Sequence, residues 1–102
     1  IINILSDNNG LRKLRFNTYL GYELFENGNI DECLKSLDKV IKNLEEIYNN
    51  YTQENYTSMF MKYHGPKIGD IMEKLGQKEM LAKMQYLDSQ RSNLYKDYQS
   101  NI

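Results

Sequence analysis

Between Ile30 and Tyr51 the apolar residues return in alternating steps of three and four: Ile30, Cys33, Leu37, Val40, Leu44, Ile47, Tyr51. An α-helix puts such positions on one side, because about 3.6 residues complete a turn. Leu34, Ile41 and Tyr48 lie beside that seam and widen it into a stripe. A stripe of that width suits a core-facing helix in a globular packing better than a narrow coiled-coil seam. The opposite face carries Glu32, Lys35, Asp38, Lys39, Lys42, Asn43, Glu45 and Glu46, all expected in solvent. Asp38 and Lys42 form a favourable four-residue pair there. Asn29 or Asp31 can cap the helix, whose first turn is acidic.

The rest of the chain repeats the helical pattern. A helix over 11–27 is anchored by Leu11, Leu14, Leu20, Leu24 and Phe25, with Phe16, Tyr19 and Tyr22 alongside. Gly28 ends it, where a left-handed backbone is cheap only for glycine. The link to the next helix is then two or three residues, which forces an antiparallel hairpin. A third stretch over 53–75 has two apolar runs, Tyr56, Met59, Phe60, Tyr63 and then Ile68, Ile71, Met72, Leu75. His64-Gly65-Pro66 between them predicts a break or kink, with Pro66 able to open a new helix and His64 at a loop or helix end. Gly76 ends this stretch, and a last helix over 77–99 has the seam Met80, Met84, Leu87, Arg91, Leu94, Tyr98, interrupted by the arginine. No stretch alternates as a half-buried strand does. The expected fold is all-α: antiparallel helical hairpins stacked on one another, with a closed four-helix bundle as the alternative. The expected organisation is 1–10 as a linker or the tail of a preceding element, 11–51 as one hairpin, and 52–102 as a second, divergent hairpin kinked near Pro66.

The two hairpins echo each other. LGYELFENGNIDECL (residues 20–34) is matched by IGDIMEKLGQKEMLA (residues 68–82), and the same 48 residues separate Gly21 from Gly69 and Gly28 from Gly76. The first hairpin resembles a tetratricopeptide repeat. Leu20-Gly21 matches the family's Leu-Gly pair, Leu24 the large residue after it and Gly28 the turn glycine. Cys33, Leu37 and Val40 fill the small, large and small places on the second helix. Two positions depart: Asn17 stands where an aromatic belongs, and Glu45 stands in place of the closing proline. The second helix therefore runs on, as in the longer kinesin-light-chain-like repeats. In the second copy Ile68-Gly69, Met72 and Gly76 match, and the small residue falls one place late, at Ala82. The resemblance spans residues 15–94, and it implies that Gly21 and Gly69 admit a facing helix at Cys33 and Ala82.

It also implies a concave surface built by the first helix of each pair. Its candidate partner-binding residues are Arg15, Thr18, Tyr22 and Glu26 in the first copy, and Tyr63, Lys67, Asp70, Glu73 and Lys74 in the second. Tyrosine and arginine dominate interface energetics. Only Arg15 and Lys67 hint at the carboxylate clamp of some family members, and the asparagines of that clamp are missing, so binding of a C-terminal tail is not expected.

Other classes fit less well. Thirteen basic against fourteen acidic residues give a net charge of −1, and Arg12, Lys13 and Arg15 form the densest basic cluster, so no nucleic-acid partner is expected. No apolar run reaches the ~20 residues of a membrane span, and IINIL is too short for a signal peptide. The single Cys33 fits a reducing, cytoplasmic setting. A start at Ile1 rather than Met predicts a fragment of a longer protein. Twelve Asn, ten Lys, nine Tyr and nine Ile point to an A/T-rich genome, and in so Asn-rich a chain the patterns Asn50-Tyr51-Thr52 and Asn55-Tyr56-Thr57 are chance matches to a glycosylation site. His64 has no spaced partner for a metal, Cys33 lies on the apolar seam, and Asp31-Glu32 and Glu45-Glu46 lie on solvated faces. No enzyme, metal or cofactor is expected. The expected function is a protein- or peptide-binding module or scaffold. Self-association and the peptide-sensing domain of a bacterial regulator are the alternatives.

Overall fold

The computed structural model describes the backbone of residues 2–50 and 54–100, and side chains over 10–49 and 56–89. Among the described residues the chain is all-α: α1 Ile2–Glu26, α2 Ile30–Asn50, α3 Glu54–Lys74 and α4 Lys78–Ser100, with no strand. Tyr51, the two glycosylation-like patterns in part, and the side chains of Arg91, Leu94 and Tyr98 lie outside the described residues.

Both hairpin turns are built alike. Gly28 has φ 78° and Gly76 φ 71°, the left-handed region where a Cβ is strained. Gly28 N–H donates to the Phe25 carbonyl at 3.1 Å and Asn29 N–H to the Leu24 carbonyl at 2.9 Å. Gly76 N–H donates to Glu73 at 3.0 Å and Gln77 N–H to Met72 at 2.8 Å. Each pair is a Schellman motif, which satisfies carbonyls that the helix end leaves without partners. Asn29 and Gln77 then start the next helices, their carbonyls accepting from Cys33 N–H at 2.9 Å and Leu81 N–H at 3.0 Å. Asp31 and Glu32 in the first turn of α2 complement its positive end.

Two elements differ from the pattern expected of the sequence. α1 starts at Ile2, so it runs through a segment expected as a linker or tail. α3 passes through Pro66 as one helix instead of breaking there. The usual clash of a proline ring with the Cβ of the preceding residue is absent, because that residue is Gly65. Proline still removes the amide that the Lys62 carbonyl would accept. Lys62 and Pro66 are both exposed, so water can serve that carbonyl.

One core joins all four helices. Leu14 from α1, Leu37, Val40 and Leu44 from α2, and Ile68 and Met72 from α3 are fully or almost fully buried, and Met84 of α4 joins them. α1 packs on α2 and α3, α2 also packs on α3 and α4, and α3 packs on α4. Among the described residues α1 and α4 do not meet. Ile30 is exposed rather than part of the core, because it lies in the first turn of α2, beyond the end of α1. Asn43 is buried rather than solvated. Asp38 and Lys42 do pair, at 3.2 Å on the exposed face.

The two interior glycines differ in their surroundings. A Cβ on Gly21 would meet Leu37 Cδ2 at 3.5 Å, an ordinary contact, whereas one on Gly69 would meet Leu81 Cδ1 at 3.2 Å. The residue over Gly69 is therefore Leu81 and not Ala82. One step along a helix is about 100°, and Ala82 points to solvent.

Candidate functional site

The richest side-chain cluster lies where α3 crosses α1. Tyr19 and Tyr22, three apart on α1, face Phe60, Tyr63 and His64 on α3. His64 stacks on Phe60 with ring centres 4.4 Å apart, takes the edges of Tyr63 at 4.9 Å and Tyr19 at 5.4 Å, and tilts against Tyr22 at 5.8 Å. Tyr19 also meets Phe60 edge-on at 6.2 Å and Tyr22 at 6.3 Å. Offset and edge-on aromatic pairs of this kind hold a defined geometry. With the imidazole proton on Nε2, the Tyr22 hydroxyl donates to His64 Nδ1 at 2.8 Å. Lys67 extends the cluster, its ammonium 4.3 Å from the Tyr63 ring centre and 3.3 Å from the Tyr63 hydroxyl.

Burial sets the protonation of this cluster. The Tyr22 phenol is pushed up to about 12, first by burial and then by Tyr19 and Tyr63 nearby, so it remains a donor. Burial, and next the charge of Lys67, hold His64 below its ordinary value of 6.5. The folded chain thus keeps the imidazole neutral at a pH where the unfolded chain already takes up a proton. Stability is therefore expected to be level above pH 6.5 and to fall as the pH drops through 6.5 toward the lower folded value. Urea denaturation of the wild type and of His64→Phe between pH 5 and 8 checks this, within about a unit either side of the window in which His titrates. The fall below neutrality should be smaller in the variant, and an identical slope in both would remove His64 as its source.

The residues expected to bind a partner are not all brought together. Tyr22, Tyr63 and Lys67 come together in the cluster, and Arg15 is exposed on α1. Glu26, Lys67 and Asp70 border a groove of about 350 Å³ between α1 and α3, floored by Phe25 and Ile71. Asp70 pairs with Lys74 at 3.0 Å on the surface. Glu73 lies elsewhere, at a cavity between α3 and α4. Thr18 is fully buried and so unavailable to a partner. Its position on α1 faces the core, and its hydroxyl makes no hydrogen bond among the described residues.

Sequence reasoning missed Tyr19, Phe60 and His64 as members of one site. The spacing Tyr19-x-x-Tyr22 and the run Phe60-x-x-Tyr63-His64 were legible signals, but the pairing of the two helices was not. His64 sits in mid-helix, not at a helix end.

Elsewhere the polar interior is structural. The Asn17 amide donates to Asn43 Oδ1 at 2.9 Å between α1 and α2, with both residues buried. Cys33 donates its thiol proton to the Gly21 carbonyl at 3.4 Å, and burial pushes its pKa up, away from the thiolate that nucleophilic chemistry needs. Among the described residues no three His, Cys, Asp or Glu side chains gather as a metal site, and no helix is long and apolar enough to cross a membrane. Comparison with protein-family models, with curated proteins and with solved structures gives no match.

Proposed function

We propose that the chain is a non-enzymatic protein-interaction module, with stacked hairpins of the tetratricopeptide type, that binds a peptide or protein along the α1 and α3 surface. The observation that carries this reading is a patch of large apolar side chains left in solvent on those two helices. Phe16 and Tyr63 are each 65% exposed and Met59 71%, with Tyr19 and Tyr56 beside them. Large apolar side chains left in solvent together on neighbouring helices mark an interaction site, and aromatic side chains held by neighbours, as Tyr19 and Tyr63 are, lose little entropy on binding. The His64 cluster fixes Tyr19 and Tyr63 from behind. Lys67 and Arg15 supply positive charge at its edges. The pattern of helix contacts, in which α1 meets α3 but, among the described residues, not α4, supports an open stack over a closed bundle.

Selection of binders from a random peptide display library on the immobilised protein tests this. Enriched peptides should carry apolar anchors and shift the NMR signals of Tyr19, Tyr63 and Lys67. Tyr63→Ala should weaken them about tenfold or more, as a hot-spot truncation does, while Tyr86→Ala on α4 should not. Peptides that map to another face would overturn the assignment.

The same exposed patch favours one second reading, a homodimer closed over Phe16, Met59 and Tyr63. Light scattering on the eluting protein separates the two. A monomer at tens of micromolar leaves the patch open for a different partner.

A further inference from the structure

A second opening lies between α3 and α4 and meets the α1 and α3 groove only at Asp70. It is a groove of about 500 Å³ with Met61, Gly69, Leu81 and Met84 as its apolar lining. The 48-residue register shows what it corresponds to in the first hairpin. Thr18 and Gly21 of α1 shift to Pro66 and Gly69, and Cys33, Ser36 and Val40 of α2 shift to Leu81, Met84 and Asp88. All five positions in the first hairpin are buried, whereas among their counterparts only Met84 is. α3 packs on the first hairpin against both α1 and α2, presenting Ile68 and Met72, one turn apart and fully buried. Among the described residues no helix packs on the second hairpin in that way.

The helix that packs on the first hairpin therefore carries a buried i, i+4 apolar pair. Gly69 lets α4 close against α3, since a Cβ there would meet Leu81 Cδ1 at 3.2 Å and Met84 Cε at 3.6 Å, so those two side chains form the floor. From Met61 to Glu73 the lining of α3 covers about 18 Å at 1.5 Å per residue, room for two to three helical turns. The rim has a sign. Among the described residues Asp70, Glu73 and Asp88 stand around the opening against Lys62 alone. Lys74 engages Asp70, which leaves Glu73 and Asp88 on opposite walls to meet incoming charge.

We propose that this groove is a second docking site, which receives an amphipathic α-helix of a partner protein carrying lysine or arginine beside its apolar stripe. The apolar stripe takes the place on Leu81 and Met84 that Ile68 and Met72 take on the first hairpin. The basic flanks meet Glu73 and Asp88.

Two synthetic helical peptides test it, with the same leucines at i, i+3, i+4 and i+7 and with either lysine or glutamate on the flanks, titrated by fluorescence anisotropy into the full chain. The lysine peptide should bind about tenfold tighter than the glutamate peptide, the worth of two partly exposed charge pairs. Glu73→Lys with Asp88→Lys should reverse that preference; both sites are exposed, so the helices should survive, which circular dichroism checks. The amide signals of Gly65 and Gly69 should move on binding. Failure of the lysine peptide to bind, equal binding of both peptides, an unchanged preference after charge reversal, or shifts confined to Tyr19 and Tyr63 would each overturn the proposal. So would a dimer of the chain alone that the same reversal dissociates, since the groove would then hold a second copy. Shifts confined to Tyr19 and Tyr63 would place the peptide on the α1 and α3 surface, whereas the charge reversal acts at Glu73 and Asp88, which do not line the groove there, so failure of one assignment is distinguishable from failure of the other.

Discussion

Leu37→Ala is expected to lower the free energy of unfolding by about 3 to 4 kcal/mol, near the middle of the range for deleting a fully buried leucine. Leu37 is completely enclosed at the centre of α2, with its Cδ2 set against the backbone of α1 at Gly21. The glycine offers no side chain that could swing into the space. The neighbouring helix would have to move bodily to fill it, so much of the cavity should persist, and a persistent cavity is what raises the cost. A domain of this size has about 5 to 15 kcal/mol in hand, so the variant should sit near the edge of folding at 37 °C. Leu34→Ala, three residues earlier and only half-buried, should cost about half as much, because less apolar area leaves water. Urea unfolding followed by far-UV circular dichroism reads both, as a fall in midpoint at unchanged slope. Equal midpoints for the two variants would mean that α2 is not the spine of the core.

That contrast was legible before any coordinates, because α2 carries a strong stripe and a helix with one apolar side has one way to bury it. The two turns were legible too. A glycine seven residues after Leu-Gly has few roles other than a left-handed helix stop, and Gly28 and Gly76 both fill that role. What stayed hidden was whatever depends on the neighbouring helix. Asn43 reads as a solvent residue, yet it flanks the buried Ser36 at seven-residue spacing and widens the covered arc on the side where α1 lies. Phe16 and Met59 read as core residues by type, yet among the described residues no element covers them. His64 next to Gly-Pro reads as a loop residue, and only the passage of α3 through Pro66 carries it into the aromatic cluster. Ala82 reads as the small residue of a repeat, but Leu81 occupies the register that the turn sets, four residues after the Gln77 carbonyl.

Asn17 and Asn43 give the sharpest test of how that hidden interior is organised. Asn17→Leu alone is expected to cost about 2 to 3 kcal/mol, since it strands the buried Asn43 amide without its donor. Asn43→Leu should cost a similar amount by stranding the Asn17 amide. The double variant should cost less than either single change and should approach the wild type, because a leucine pair of similar volume leaves no polar group unsatisfied. A coupling of more than about 2 kcal/mol between the two positions is the signature, well above the few tenths expected of independent sites. Additive losses would show that each amide has another partner and that the bond measured at 2.9 Å is incidental. With strong coupling, the pair acts mainly as a register pin. α1 can slide on α2 by a turn and still bury leucines, but only one alignment brings the two amides together, so the double leucine variant should be stable yet less uniquely packed. Broader NMR lines for Leu14 and Leu44 in that variant than in the wild type would report the lost register directly. Asn17 and Asn43 are then the point at which this hairpin uses a hydrogen bond to fix its two helices.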